Sequence, residues 1–330
     1  MKSLAMKWFA EAPSNIALIK YMGRTNEENK IPANPSFSYT LPHLKSYVEI
    51  EYVDSPNTVT WEPLNFEDSH PIQLSMKAQE RFFKHLAFMF KALGYAHSSL
   101  NGFIIRSSNN FPLGVGLASS ASSFAALSLA ASRVVGANNI RPNIQIAIDK
   151  IAQLSRIGSG SSCRSFYAPW VLWDNESVQA LDFPHYAHLM HQVVIINAKE
   201  KAISSSQAHQ YVKTSTFYAE RPERAAQRLQ TLFQALKNQQ WEKIAQITWD
   251  EFQDMHQLFE TASPSFSYRN EASLILLKKL EKYWEKKGDG PLVTMDAGPN
   301  IHLLYRPDQQ EIQQEIQKYL LAGYSYVFSP

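Results

Sequence analysis

Asp296 ends an apolar run in "PLVTMDAGPN" (291–300), and the chain then breaks into Ala-Gly-Pro-Asn. An aspartate there either starts a turn or is a carboxylate fixed for use by the rest of the chain. Three other segments hold residues suited to chemistry on an anion. In "APSNIALIKYMGR" (12–24), Lys20 follows an apolar run and precedes Tyr21, Gly23 and Arg24. A lysine at a core edge can pair with a carboxylate or a phosphate oxygen, or it can snorkel to solvent from a half-buried strand. In "NNFPLGVGLASSASSFAAL" (109–127), Pro112, Gly114 and Gly116 lead a strand into a helix. Such a helix entrance offers free N–H groups and a positive dipole end to an anion. The small residues Ala118, Ser119, Ser120 and Ala121 let a phosphate chain come close, and the two hydroxyls could meet phosphate or magnesium. This is not a Walker A loop, because no Gly-Lys-Ser/Thr follows. A tightly packed Ala-rich helix after an ordinary turn has the same spacing. In "IGSGSSCRSFY" (157–167), Gly158, Ser159, Gly160 and Ser161 form a flexible, hydroxyl-rich turn ahead of Arg164. Its donors and the guanidinium fork could clamp an anion, and a polar helix-to-strand loop accounts for it equally.

Other candidates are weaker. Cys163 has no histidine nearby in sequence and reads as a small packing residue. The ten histidines show no metal-ligand spacing, and His209, His256 and His302 read as surface or core residues.

Elements must carry these segments to one place. The 330 residues are 45% hydrophobic and 19% charged, enough for a substantial core in two domains or one large one. A net charge of +2 excludes a large nucleic-acid footprint. One cysteine points to a reducing compartment, the first residues do not form a secretory signal, and no apolar stretch spans a bilayer. The expectation is a soluble, cytoplasmic protein. Strands are expected at 46–53, 58–63, 102–108, 167–173 and 191–198, with a strand pair around Asp296. Helices are expected at 75–95 (ending near Gly94), 117–135, 143–158 and 271–287, with a helical pattern from 221 to about 262. Strands and helices mix without regular crossovers, so the class is α+β. The pattern changes near 185–200, which divides the chain into 1–187 and 188–330.

Taken in order, "APSNIALIKYMGR", "IPANPSFSYTL" (31–41), "NNFPLGVGLASSASSFAAL", "GSGSSCRS" (158–165) and "DAGPN" (296–300) resemble the diphosphomevalonate decarboxylases. These belong to the superfamily of galactokinase, homoserine kinase, mevalonate kinase and phosphomevalonate kinase. The resemblance runs from about residue 12 to 305 and is weaker between 185 and 290. It implies a two-domain GHMP-kinase-like fold with the active site in the cleft between domains, and a homodimer. It implies ATP-dependent decarboxylation of mevalonate 5-diphosphate to isopentenyl diphosphate, with Mg2+. The protein would bind a small molecule, with no nucleic acid or membrane partner.

By motif, Asp296 matches the family's catalytic aspartate, Lys20 the lysine beside it, Arg164 the arginine on the substrate's anionic groups and Ser161 the serine of the substrate loop. Asn110, Gly114, Gly116, Leu117, Ala118, Ser119 and Ser120 match the ATP phosphate loop, with Ser119 and Ser120 candidates to meet magnesium. Tyr21, Arg24, Ser159, Gly160 and Ser205 join Ser161 and Arg164 on the substrate. Four departures stand out. Met22 replaces a usual tryptophan and Arg24 a lysine. Ala168-Pro169 replaces a Gly-Gly pair, with an expected effect on the pocket wall. Ser206 stands where bacterial members often have an arginine. Mevalonate 5-phosphate as substrate, or a 3-kinase that does not decarboxylate, are the alternatives.

Overall fold

In the computed structural model, which describes residues 6–53, 59–66, 69–95, 99–111, 119–138, 146–197 and 202–329, a long strand leads directly to the first candidate lysine. That strand, β1 (Met6–Ile19), is followed by a small hairpin, β2 (Arg24–Asn26) with β3 (Ile31–Pro32), which turns the chain back into β4 (Ser36–Tyr52). β1 and β4 pair antiparallel along almost their whole length. β4 begins ten residues before the expected strand at 46. Its first half, "SFSYTLPHLK", carries serines, a proline and a lysine, which weaken any strand pattern. β5 (Thr60–Pro63), β6 (His70–Pro71), β7 (Phe103–Asn109), β8 (Trp170–Asp174) and β9 (Ser177–Leu181) complete this sheet, in the order β5-β7-β4-β8-β9 with β1 on β4 and β6 on β7. Only the β5–β7 pair is parallel among the described pairings.

Three helices cover this sheet. α1 (Met76–Leu93) starts where the Ser75 side chain accepts from the Ala78 N–H, and stops at Gly94, whose φ of 78° suits a residue without a Cβ. It buries Phe82, His85, Leu86, Met89 and Phe90, one stripe at helical spacing. α2 (Ser119–Asn138) is buried nearly all round; Ala126, Ala130 and Ala131 are fully buried, and their small side chains let it lie close on β1 and β4. α3 (Ile148–Ser155) is shorter than the expected 143–158, although residues 141–145 lie outside the described ones. The segment expected to be a flexible turn is instead ordered, with a buried 3-10 helix over Gly160–Phe166.

The second sheet is antiparallel, in the order β11-β12-β10-β13, from β10 (Met190–Ile195), β11 (Leu292–Met295), β12 (Ile301–Tyr305) and β13 (Ser325–Ser329). Around it lie α4 (Ser205–Tyr211), α5 (Arg221–Lys237), α6 (Trp241–Glu260), α7 (Glu271–Lys287) and α8 (Gln310–Tyr319). The helical pattern expected from 221 to 262 is two helices. Asn238 ends α5 and Gln239 turns the backbone left-handed at φ 55°, so α6 packs back on α5. α6 also contacts β1 and β11, which explains why Ile16, Leu18 and Ile19 are buried although β1 already has α2 on its other face. The class is α+β, as expected from the sequence.

Candidate active site

Lys20, the residue after β1, is 1% exposed. Its backbone N–H donates to Glu251 Oε1 of α6 at 2.9 Å, and its carbonyl accepts from Asn34 Nδ2 at 2.9 Å. The ammonium group donates to Asp296 Oδ1 at 2.8 Å, so it does not snorkel to solvent. Burial pulls Lys20 below the usual lysine range, while Asp296 and Glu251 pull the other way. Burial also works against ionised Asp296, but the charge and hydrogen bond of Lys20, helped by His302 and Arg164, hold its carboxyl below its ordinary value. The result is a fixed, ionised carboxylate.

Asp296 directly follows β11, and its main chain is tied down. Its carbonyl accepts from the Gly298 N–H at 2.7 Å and from His256 Nε2 at 3.1 Å. Burial keeps His256 neutral, with its value lowered to about 3, so Nε2 carries the proton it donates. A turn and a core histidine together fix the aspartate.

Arg164 belongs to the 3-10 helix and is 4% exposed. Its Nε donates to Asn15 Oδ1 at 3.1 Å, Nη1 donates to Ser36 Oγ, and the guanidinium lies over the Trp173 ring at 5.8 Å. This leaves Nη2 without a partner among the described residues. Gly160 is required by close packing: a Cβ there would lie 2.6 Å from the Tyr21 ring. Tyr21 is wedged between Gly160 and the rings of Trp173 and His209, at 4.6 and 4.3 Å. Its hydroxyl accepts from Arg24 Nε at 2.7 Å, and burial pushes it up to about 12, so it stays protonated. His209 Nδ1 accepts from the Gly23 N–H at 3.0 Å, which places the proton of this neutral imidazole on Nε2.

One cavity of about 260 Å³ gathers Lys20, Tyr21, Arg24, Ser119, Ser120, Ser159, Gly160, Ser161, Arg164, Ser205 and Asp296. Ser119 and Ser120 open α2, and Ser120 Oγ lies 3.3 Å from Ser159 Oγ, joining the helix start to the serine-rich segment. Gly114, Gly116, Leu117 and Ala118 lie outside the described residues. Asn110 is not among the lining residues. Its side chain accepts from the Lys45 N–H at 2.7 Å and donates to the His43 carbonyl at 2.8 Å, clamping β4. Ala168-Pro169 is also absent from the lining; the Pro169 carbonyl accepts from the Thr40 N–H at 2.8 Å. Met22 and Ser206 do line the cavity. Cys163 is fully buried and its thiol is pushed up to about 12, which makes it a packing residue.

Sequence reasoning missed Lys30, Arg81, His209 and Met255 in the lining, and Glu251, Asn15, Ser36 and His256 behind it. In the sequence Arg81 is one more charge on an amphipathic helix, and no motif marks Lys30. Their common direction exists only in three dimensions. Among the described residues no cluster of three acidic, histidine or cysteine side chains could hold a metal.

Comparison with known proteins agrees with this geometry. The diphosphomevalonate decarboxylase-like N-terminal domain matches residues 12–182, and the mevalonate 5-diphosphate decarboxylase C-terminal domain matches residues 191–325. The mevalonate diphosphate decarboxylase from Legionella pneumophila superposes with a TM-score of 0.89 and 50% identity, covering 98% of this chain and 100% of that one. The diphosphomevalonate decarboxylase ERG19 of Gibberella zeae is 29% identical, across 91% of this chain and 81% of that protein. The structure of MDDEF in complex with MVAPP, AMPPCP and magnesium superposes with a TM-score of 0.83 at 25% identity, over 98% of this chain and 96% of that one. With both halves matched and the lysine–aspartate pair in one cavity, the chain belongs to the diphosphomevalonate decarboxylase family.

Proposed function

We propose that the protein catalyses the ATP-dependent decarboxylation of mevalonate 5-diphosphate to isopentenyl diphosphate, through phosphorylation of the 3-hydroxyl. The observation that carries this is the Lys20–Asp296 pair at 2.8 Å, in a cavity that also holds Arg164 and the start of α2. It is supported by family membership and by the MVAPP and AMPPCP complex of a relative.

Mg-ATP, a substrate here, supplies the phosphoryl group and a divalent cation. The cavity fits such a polyanion. Two hydroxyls of its lining, Ser119 and Ser120, stand at the start of α2, where the free N–H groups and the positive dipole end of a helix favour an anion. Ser119 and Ser120 would hold it, and Mg2+ would take mostly phosphate oxygens and water, which needs no carboxylate cage.

Asp296 accepts or orients the proton of the tertiary hydroxyl, a poor nucleophile, as the new P–O bond forms. Lys20 keeps Asp296 ionised and offsets negative charge on the transferring group. Arg164, with Asn15 and Ser36 holding one edge of its fork, turns the other toward the substrate carboxylate. The 3-phosphate then leaves with its bonding pair. The pair joining the carboxylate to its neighbour closes the double bond, and carbon dioxide departs. Ser161, Ser159, Gly160, Tyr21, Arg24 and Ser205 are assigned to substrate contact.

The proposed domain division is 1–187 and 188–330, since the two sheets part between Leu181 and Met190. A homodimer and a cytoplasmic location complete the reading. No helix among the described residues is long and apolar enough to cross a membrane. The deciding experiment offers purified protein mevalonate, its 5-phosphate and its 5-diphosphate with Mg-ATP, scoring carbon dioxide and ADP separately. Equal release of both from the diphosphate is expected. ADP without carbon dioxide would make it a kinase, and turnover of the monophosphate alone would change the substrate.

A further inference from the structure

The hairpin between β2 and β3 ends on Lys30, whose φ is 50°. Left-handed backbone costs a side-chain-bearing residue roughly 1 kcal/mol or more, and a turn here would take glycine or asparagine more easily. Lys30 is nonetheless held there, with its carbonyl accepting from the Tyr21 hydroxyl at 3.4 Å. The backbone sends its amine inward, where Nζ donates to the Gly158 carbonyl at 2.8 Å. Arg81 Nη2 donates to the same carbonyl at 3.3 Å. Two cations thus share one neutral oxygen, and among the described residues neither has an ion-pair partner. Arg24 beside them pairs with Glu27, but Glu27 is also taken by Lys213 at 2.7 Å. Lys30, Arg81 and Arg24 thus line one cavity, and the single carboxylate that meets any of them, Glu27, is shared between Arg24 and Lys213 among the described residues. Burial, then Arg24 and Arg81, lower the Lys30 amine to about 8. An arrangement so short of negative charge is complementary to a ligand that brings several charges on one end.

We propose that Lys30 is the residue by which this chain reads the terminal phosphate of its substrate, with Arg81 and Arg24 beside it, and so selects a diphosphate over a monophosphate. This rests on the reaction proposed above. Lys20, Arg164 and Asp296 serve the carboxylate and C3, while the Lys30 group serves the far end of the same molecule. An amine with a free-protein value of about 8 also makes affinity pH-dependent. A bound diphosphate favours the charged form and raises that value. Affinity is therefore full below about 8 and falls as pH rises through it, by up to about tenfold per pH unit.

The test is calorimetric binding of mevalonate 5-diphosphate, mevalonate 5-phosphate and Mg-ATP to wild type, Lys30→Met and Lys30→Arg, with steady-state kinetics alongside. Lys30→Met should weaken the diphosphate roughly 10- to 100-fold, with the monophosphate and Mg-ATP changed less than about threefold and kcat nearly kept. The alkaline fall in diphosphate affinity should vanish in Lys30→Met and move to higher pH in Lys30→Arg. Equal weakening of both mevalonate esters, or weakening of Mg-ATP, would overturn the assignment. So would an alkaline limb that persists in Lys30→Met. Wild-type protein that binds the diphosphate but does not decarboxylate it would instead refute the proposed reaction, leaving the binding comparison to judge Lys30.

Discussion

Glu251 on α6 accepts the backbone N–H of Lys20 at 2.9 Å across 231 positions of sequence. The same carboxylate is gripped by Arg221, and it and Asp254 also meet Arg228, in a cluster where Arg221 and Glu251 are fully buried. Glu251→Leu keeps most of the volume but removes the acceptor of the Lys20 N–H and leaves Arg221 short of charge. Breaking a buried ion pair costs roughly 3–5 kcal/mol. Urea denaturation should show that loss, and kcat of the surviving folded enzyme should fall as Lys20 loses its anchor. A variant with lowered stability and unchanged kcat would separate the cluster from the active site.

Lys20→Met removes the charge that opposes burial at Asp296. In the wild type the carboxyl lies below its ordinary value of 3.8, so its protonation takes no activity until the pH falls below that. In the variant the value should rise, bringing a new acid limb into the kcat profile. The sign follows from burial favouring the neutral acid once the ammonium group is gone. A residual activity independent of pH down to the wild-type limit would argue against this coupling.

Asp296→Asn is nearly isosteric and keeps the turn, whose carbonyl contacts are to main chain and His256. Turnover should fall roughly 10²- to 10⁴-fold while the affinity for Mg-ATP stays within a few-fold. Single-turnover measurements of ADP formation read this directly. A rate close to wild type would remove Asp296 from the chemistry.

Arg164→Lys should act mainly on substrate affinity. The guanidinium spends two nitrogens on Asn15 and Ser36, and an ammonium cannot hold those and still present a flat donor edge. A tenfold or larger rise in KM for the mevalonate substrate is expected, with the KM for Mg-ATP little changed.

Much of this was readable from the chain because local rules and tertiary structure agree. Ser75 and Gly94 mark the ends of α1 as capping chemistry requires. "DAGPN" marked Asp296 as either a turn starter or a fixed carboxylate, and the serine-rich segment before Arg164 does line the cavity. What stayed hidden depends on long-range partners. Lys20 alone resembles a snorkelling lysine, because its carboxylates lie 231 and 276 positions away. Asn110 sits in the matching motif, yet its amide clamps β4 at His43 and Lys45. Ser159–Ser161 looked flexible from their composition, whereas Tyr21 and Phe124 press so closely on Gly160 and Gly158 that side chains there would clash.

The amine of the central pair stands just past the end of β1 in the first sheet, and its carboxylate just past the end of β11 in the second. Neither half owns a working reaction centre. The ionised state of Asp296 therefore rests on a contact that neither sheet can make alone.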